Sequence, residues 1–213
     1  MTLAALLATP GVEERCVLRS RFGFLALHGG LEQATAELAT EAAERAGASL
    51  YAVVQPPDLR WHIPSHRFDP AESPVLARYL AHVEVVVSLH GYGGLRGSDD
   101  RWTTVLIGGA NRVLAADLAS RLRAPLPHYT WLDDLTRIPP HLRGVHPDNP
   151  VNRPAEAGAQ LELPPRARGF GRYWADHTGT GWPAHPAALL DVLVAVAQAR
   201  RKVEPEAIKN LDS

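Results

Sequence analysis

Cysteine is nearly absent from this chain of 213 residues: Cys16 stands alone. No internal disulfide can form, and one thiol cannot build a cysteine-based metal site. Any metal would have to be held by histidine and carboxylate. Lysine is almost as scarce. Lys202 and Lys209 are the only ones among 22 basic residues, so the cations are nearly all arginine, whose planar fork suits carboxylates. No charge of one sign predominates. The formal net charge of -1 gives no global field that would favour nucleic acid or a membrane surface. No apolar run approaches the roughly 20 residues of a membrane span. The apolar start, Leu3 to Ala8, has no basic leader before it, so no signal peptide is expected and the cytoplasm is the default location.

What is present fits a globular domain. The composition is 46% hydrophobic and 21% charged, enough to bury a sizeable core. Strand-type and helix-type patterns alternate. Strands are expected at Phe22 to Leu27, Leu50 to Val54, Val83 to Leu89, Thr103 to Ile107 and Ala159 to Leu163. Helices are expected at Thr35 to Ala46, closed by Gly47, and at Val75 to His82 and Pro186 to Arg201. Another should cover Ala110 to Leu122, with Val113, Leu114, Leu118 and Leu122 on its apolar side. Proline breaks the loop from Asp58 to Ser73 and the long irregular stretch from Pro139 to Pro154. The fold class is therefore α/β: a three-layer sandwich around a mixed, largely parallel sheet. Residues 1–203 read as one domain, and 204–213 as a frayed tail.

Three islands share one chemistry. They are Leu27-His28-Gly29-Gly30-Leu31-Glu32, Val87-Ser88-Leu89-His90-Gly91-Tyr92, and Gly158-Ala159-Gln160-Leu161-Glu162-Leu163-Pro164. His28 and His90 fall at the carboxyl ends of expected strands, where open α/β sheets bind ligands. The Gly-Gly turn can fold Glu32 back toward His28. His28, Glu32 and His90 then make a three-ligand zinc site with one position left for water. Glu162 alternates with Leu161 and Leu163, points away from them, and is typed for a general base. Each residue also has a bland reading. A His before Gly can be a turn residue, Glu32 can favour the positive start of a helix, and Glu162 can be the exposed half of an edge strand.

Other features carry less. His62 and His66 are four apart, but Pro64 between them forbids a regular helical pair. The run Gly91 to Gly97 lacks the lysine of a phosphate loop and reads as a flexible loop beside the site. His177, with Gly179 and Gly181, reads as a surface loop, and Ser88 has no nucleophile elbow around it. Arg137, Arg143, Arg153, Arg166, Arg168 and Arg172 crowd the second half and could rim the crevice for an anionic substrate.

The islands, in this order, resemble the poly-γ-glutamate hydrolase family. The similarity extends through Trp61-His62-Ile63-Pro64-Ser65-His66-Arg67-Phe68-Asp69, Leu106-Ile107-Gly108-Gly109, and Gly144 to Asn152. It implies a zinc carboxypeptidase-like fold, one zinc ion on His28, Glu32 and His90, and Glu162 as the catalytic carboxylate. Secondary candidates for substrate contact are Arg153, Arg168, Asn152, His62 and Ser65. The pattern departs once: Leu31 follows Gly30 directly, so the turn before Glu32 is one residue shorter than in the family. The expected function is zinc-dependent hydrolysis of amide bonds, γ-glutamyl bonds among them, in an anionic glutamate-containing substrate. The alternatives are an N-acylglutamate-type amidohydrolase and a non-catalytic binding module that kept the pocket. No nucleic-acid or membrane partner is expected.

Overall fold

The computed structural model describes residues 2–94, 102–169 and 181–201. Seven strands form one sheet: β1 (Glu13–Val17), β2 (Phe22–Gly29), β3 (Ser49–Val54), β4 (Val85–Gly91), β5 (Thr104–Gly108), β6 (Thr130–Leu132) and β7 (Gly158–Leu163). Their spatial order is β1-β3-β2-β4-β7-β5-β6. Four of the six pairings are parallel; β1 with β3 and β5 with β7 are antiparallel. The sheet is thus mixed and largely parallel, as the sequence pattern predicts.

Helices cover both faces. They are α1 (Leu3–Leu7), α2 (Thr35–Ala46), α3 (Pro74–His82), α4 (Arg112–Arg123) and α5 (Ala184–Arg201). Their ends follow local chemistry. Ser73 caps α3 by accepting from Leu76 N–H at 2.9 Å, with Pro74 in the first turn. Asn111 caps α4 in the same way through Leu114 N–H at 2.9 Å. Gly47 closes α2 in the left-handed conformation at φ 62°.

One core layer joins Phe22, Phe24, Val87, Leu89, Ile107, Ala159 and Leu161 to α2, α4 and α5. The other joins Leu25, Leu27, Tyr51, Val53 and Val86 to α1, α3 and the Ile63 and Phe68 loop. Because side chains alternate across a strand, Ser88, His90, Gln160 and Glu162 all fall on this second face, opposite Val87, Leu89, Leu161 and Leu163. The chain runs from β2 outward to β3 and then back to β4 on the other side. That reversal opens a crevice at the carboxyl ends of β2 and β4, the place where open α/β sheets bind ligands.

Some expectations need correction. Val113 does not join the apolar stripe of α4; it is 76% exposed, and the buried stripe is Leu114, Ala115, Leu118, Ala119 and Leu122. Glu162 does not lie on an edge strand, because β7 is held between β4 and β5. β1, β6 and α1 have no counterpart in the sequence reading. The stretch Pro139 to Pro154 contains two short 3-10 turns, Pro140–Leu142 and Pro150–Asn152. The expected tail 204–213 lies outside the described residues, as do His177, Gly179, Arg172 and the Leu95–Gly97 part of the Gly-rich loop. Among the described residues no helix is long and apolar enough to cross a membrane.

Candidate metal centre

His28 stands at the end of β2, where the register with β3 shifts between Ala26 and Gly29. The chain then turns sharply. Gly30 takes φ 78°, and a Cβ there would lie 2.0 Å from the Gln55 carbonyl oxygen, so only glycine lets the turn press this closely on the end of β3. Glu32 N–H donates back to His28 O at 2.8 Å, and Thr35 Oγ1 donates to Glu32 O at 2.7 Å. These bonds aim the Glu32 side chain at β4. The shorter turn therefore does not remove Glu32 from the site.

His28, Glu32 and His90 converge. His28 Nδ1 is 3.1 Å from Glu32 Oε1, His90 Nδ1 is 3.3 Å from Glu32 Oε2, and the two Nδ1 atoms are 3.2 Å apart. Among the described residues this is the one group of three or more side chains with the donors and spacing to hold a metal ion. The fit can be tested by arithmetic. Two donors bonded at about 2.0–2.1 Å to a tetrahedral zinc lie roughly 3.3–3.4 Å apart. The observed separations fall within a few tenths of an ångström of that edge.

Proton bookkeeping points the same way. His28 Nε2 faces the Ile63 carbonyl oxygen at 2.8 Å. A carbonyl only accepts, so Nε2 carries the hydrogen and Nδ1 of the neutral ring offers a lone pair. His90 Nε2 is likewise engaged outward, by Ser88 Oγ at 3.0 Å. Ser88, set aside as a nucleophile, thus orients His90. Gly91 N–H donates to Glu32 Oε2 at 2.9 Å. Burial alone would raise the Glu32 carboxyl, but the facing imidazoles of His28 and His90 reverse this and hold it well below the usual carboxylate range. For His90, burial opposes the charged form and the Glu32 carboxylate more than offsets it, so its pKa is raised. The donor set is acceptor-rich, buried and closely spaced, which is what a cation requires.

Glu162 lies beside this group. It is 5% exposed, and burial pushes its carboxyl up, with His90 opposing. Gln160 Nε2 donates to its Oε1 at 2.9 Å. The cavity these residues open on measures about 810 Å³, and its lining includes His28, Glu32, His62, Ser65, His90, Tyr92, Asn149, Gln160 and Glu162. His62 packs against His28 with ring centroids 4.8 Å apart; burial, with the His28 imidazole adding to it, holds its pKa below the ordinary value.

The remaining candidates are placed elsewhere. Asn152 is a loop clamp: its amide donates to Gly144 O at 2.7 Å and His146 O at 2.9 Å and accepts from Ala110 N–H at 2.9 Å. Arg153 pairs with Asp148 at 3.2 Å in a neighbouring cleft of about 290 Å³ that shares His66 with the main cavity. Arg168 is buried and donates to Leu163 O at 3.0 Å and Gln33 O at 2.6 Å. Neither arginine belongs to the lining of the main cavity. Asn149, Gln160 and Tyr92 do, and sequence reasoning passed over them. The signal for Gln160 was its spacing: two positions before Glu162 on a strand, it shares that residue's face.

A family model described as poly-gamma-glutamate hydrolase matches residues 6–174 of the chain. No curated protein matches it. Among solved structures, a bacteriophage poly-gamma-glutamate hydrolase superposes with a TM-score of 0.70 and 23% identity, covering 91% of each chain. A structure described as YNDL-apo (zinc-free) superposes with a TM-score of 0.71 and 25% identity, covering 89% of this chain and 91% of the other. A metallo-carboxypeptidase from Burkholderia cenocepacia aligns at a TM-score of 0.46 and 12% identity, over 94% of this chain and 68% of that one, too remote to argue from.

Proposed function

The chain belongs to the poly-γ-glutamate hydrolase family, and from that premise we propose that it is a zinc-dependent amide hydrolase acting on γ-glutamyl bonds of an anionic, glutamate-containing substrate. The observation that supports this best is the spacing of the facing donors of the three side chains: 3.1 Å from His28 Nδ1 to Glu32 Oε1, 3.3 Å from His90 Nδ1 to Glu32 Oε2 and 3.2 Å between the two Nδ1 atoms, each close to the donor–donor distance around a tetrahedral zinc. In this reading His28, Glu32 and His90 hold the metal. Zinc in particular is supported by a donor set of two imidazoles and one carboxylate, and by a relative described as zinc-free.

When bound, zinc polarises an amide carbonyl and lowers the pKa of a water from 15.7 toward about 7. The protein's own groups do the rest. Glu162 takes a proton from the attacking water, whose oxygen bonds to the amide carbon. The C–N bond breaks as Glu162 returns that proton to the leaving nitrogen. Burial supports this role, since it raises the Glu162 carboxyl above its ordinary value and so makes its carboxylate a stronger proton acceptor. Ile63 O and Ser88 Oγ hold the two imidazoles so that Nδ1 faces inward. His62 and Ser65 line the wall that the substrate chain would cross.

The test is elemental analysis of protein prepared without a histidine tag, paired with hydrolysis of poly-γ-glutamate. About one equivalent of zinc and release of shorter γ-glutamyl chains are expected. Full zinc occupancy in a His28→Ala, His90→Ala double variant would sink the assignment of ligands. Metal-loaded protein that leaves γ-linked polymer and short γ-glutamyl peptides intact would sink the substrate.

A further inference from the structure

We propose that Gln160 and Asn149 form a directional hydrogen-bond relay that positions Glu162, so that Gln160 is a positioning residue for the reaction; this rests on the reading of Glu162 as the general base. The direction can be followed atom by atom. Asn149 Oδ1 accepts from the backbone N–H of Val151 at 3.3 Å, at the start of a 3-10 turn. Its other terminus must then be the donating amide. Asn149 Nδ2 donates to Gln160 Oε1 at 2.9 Å. With its oxygen used, Gln160 can present only its own amide onward, and Nε2 donates to Glu162 Oε1 at 2.9 Å. A fixed backbone N–H thus sets which end of each amide faces its neighbour, and the end that reaches Glu162 is a donor.

The three side chains are 3%, 4% and 5% exposed, so water does not compete for these bonds. The surroundings hold the relay in place. Gly144 packs against the Gln160 amide at φ 64°, and a Cβ there would lie 2.5 Å from Gln160 Oε1. Gln160 itself sits on the interior strand β7, between β4 and β5. The consequence falls on Glu162. A donor on Oε1 fixes the plane of the carboxylate and leaves Oε2, which no described group occupies and no packing seals, to the cavity. A base has to be held within hydrogen-bond reach of the proton it takes, and a buried carboxylate without this bond would be free to rotate.

Polarity makes the proposal testable. Gln160→Met keeps length and removes the donor. Asn149→Asp keeps shape but gives Gln160 an acceptor on both sides. The Gln160 amide then turns its nitrogen toward the new carboxylate and its oxygen toward Glu162, where acceptor meets acceptor and pushes the carboxylate off its place. Both variants should lose roughly ten- to hundredfold in kcat on poly-γ-glutamate, the scale of one hydrogen bond to a charged group. KM should change little, because neither residue is asked to bind substrate. Zinc content should stay at the wild-type level, which a general loosening of the site would not allow.

The double variant should be no worse than Gln160→Met alone, since Asn149 acts through Gln160. Additive losses would overturn the directional claim. Wild-type kcat in Gln160→Met, with Glu162→Gln inactive, would overturn the relay and leave the base in place. Wild-type kcat in Glu162→Gln would overturn the base, and the relay with it. Should Asn149→Asp fail to fold, Asn149→Ser offers an oxygen to Val151 N–H without an amide donor and carries the same expectations.

Discussion

His90 and Glu162 are partners across the parallel pairing of β4 and β7. A candidate metal ligand and the candidate base therefore stand side by side on one face of the sheet, one interstrand spacing of about 4.8 Å apart in backbone terms. Their separation is set by strand pairing, which loop rearrangement does not alter. Glu32, by contrast, reaches the same point from a turn, so its place depends on how closely that turn is packed.

The first prediction follows from this pairing. Glu162→Gln is close to isosteric and keeps a partner for Gln160, and the side-chain hydrogen bond it inherits goes to Gln160 and not to a ligand. It should bind zinc as the parent does and lose at least the ~10²-fold associated with removing a general base. Steady-state hydrolysis and metal analysis on one preparation decide the matter. A variant that turns over at the parental rate would require a different proton acceptor.

Metal removal should show in stability as well as in activity. A ligand that binds only the folded chain adds about 2.7 kcal/mol when present at a hundred times its Kd. For a chain of this size, that is about 5–10 °C in Tm. Chelator-treated protein should melt lower by that order and recover on addition of zinc, whereas the His28→Ala, His90→Ala double variant should melt at the same temperature with and without zinc. A zinc response that persists in the double variant would place the ion elsewhere.

The turn that delivers Glu32 offers a sharper comparison between two glycines. Gly30→Ala must accept a left-handed backbone, at about 1–2 kcal/mol for an L-residue, and a Cβ 2.0 Å from the Gln55 carbonyl. It should destabilise the fold by more than the backbone term alone and weaken zinc binding, because Glu32 moves with the turn. Gly93→Ala meets nothing within 4 Å and should be near neutral on both counts. Denaturant midpoints and zinc titrations of the two variants test this; equal zinc affinities would mean that Glu32 contributes little to holding the ion.

Much of this architecture is legible in the sequence because the inner strands are apolar runs and the helices carry ordinary punctuation. α2 is expected at its observed bounds, Thr35–Ala46 with Gly47 behind it. The parts that escape have physical reasons. β1 reads Glu-Glu-Arg-Cys-Val and lies at the sheet edge, half in solvent, so it has no apolar run to announce it. β6 has only three residues. The alternation around Glu162 marks a polar side chain on the far face, but an exposed edge and a cavity wall produce the same pattern. Only the sheet order, with β5 returning antiparallel beside β7, decides between them. Asn149 becomes visible only in three dimensions, because its partner Gln160 is eleven residues away along the chain.

The two arginines proposed from the sequence as carboxylate readers should separate into two roles. Arg168 is buried, and its guanidinium ties the end of β7, through Leu163 O, to the turn after Glu32, through Gln33 O. Losing bonds from a charged donor to buried carbonyls costs about 1–3 kcal/mol, so Arg168→Ala should lower stability and loosen zinc, whatever the substrate. Arg153 is different. Its pair with Asp148 is partly exposed, a kind of contact worth roughly 0–1 kcal/mol, so Arg153→Ala should leave stability nearly unchanged. Its cleft meets the main cavity at His66. A γ-glutamyl chain long enough to pass His66 can bring a carboxylate to Arg153, while a dimer confined to the cavity cannot. Arg153→Ala should therefore raise KM for long chains and reduce the salt dependence of that KM, with little change for short ones. Measuring KM against chain length at two ionic strengths tests this directly. An equal effect on short and long substrates, or none on either, would remove Arg153 from substrate recognition.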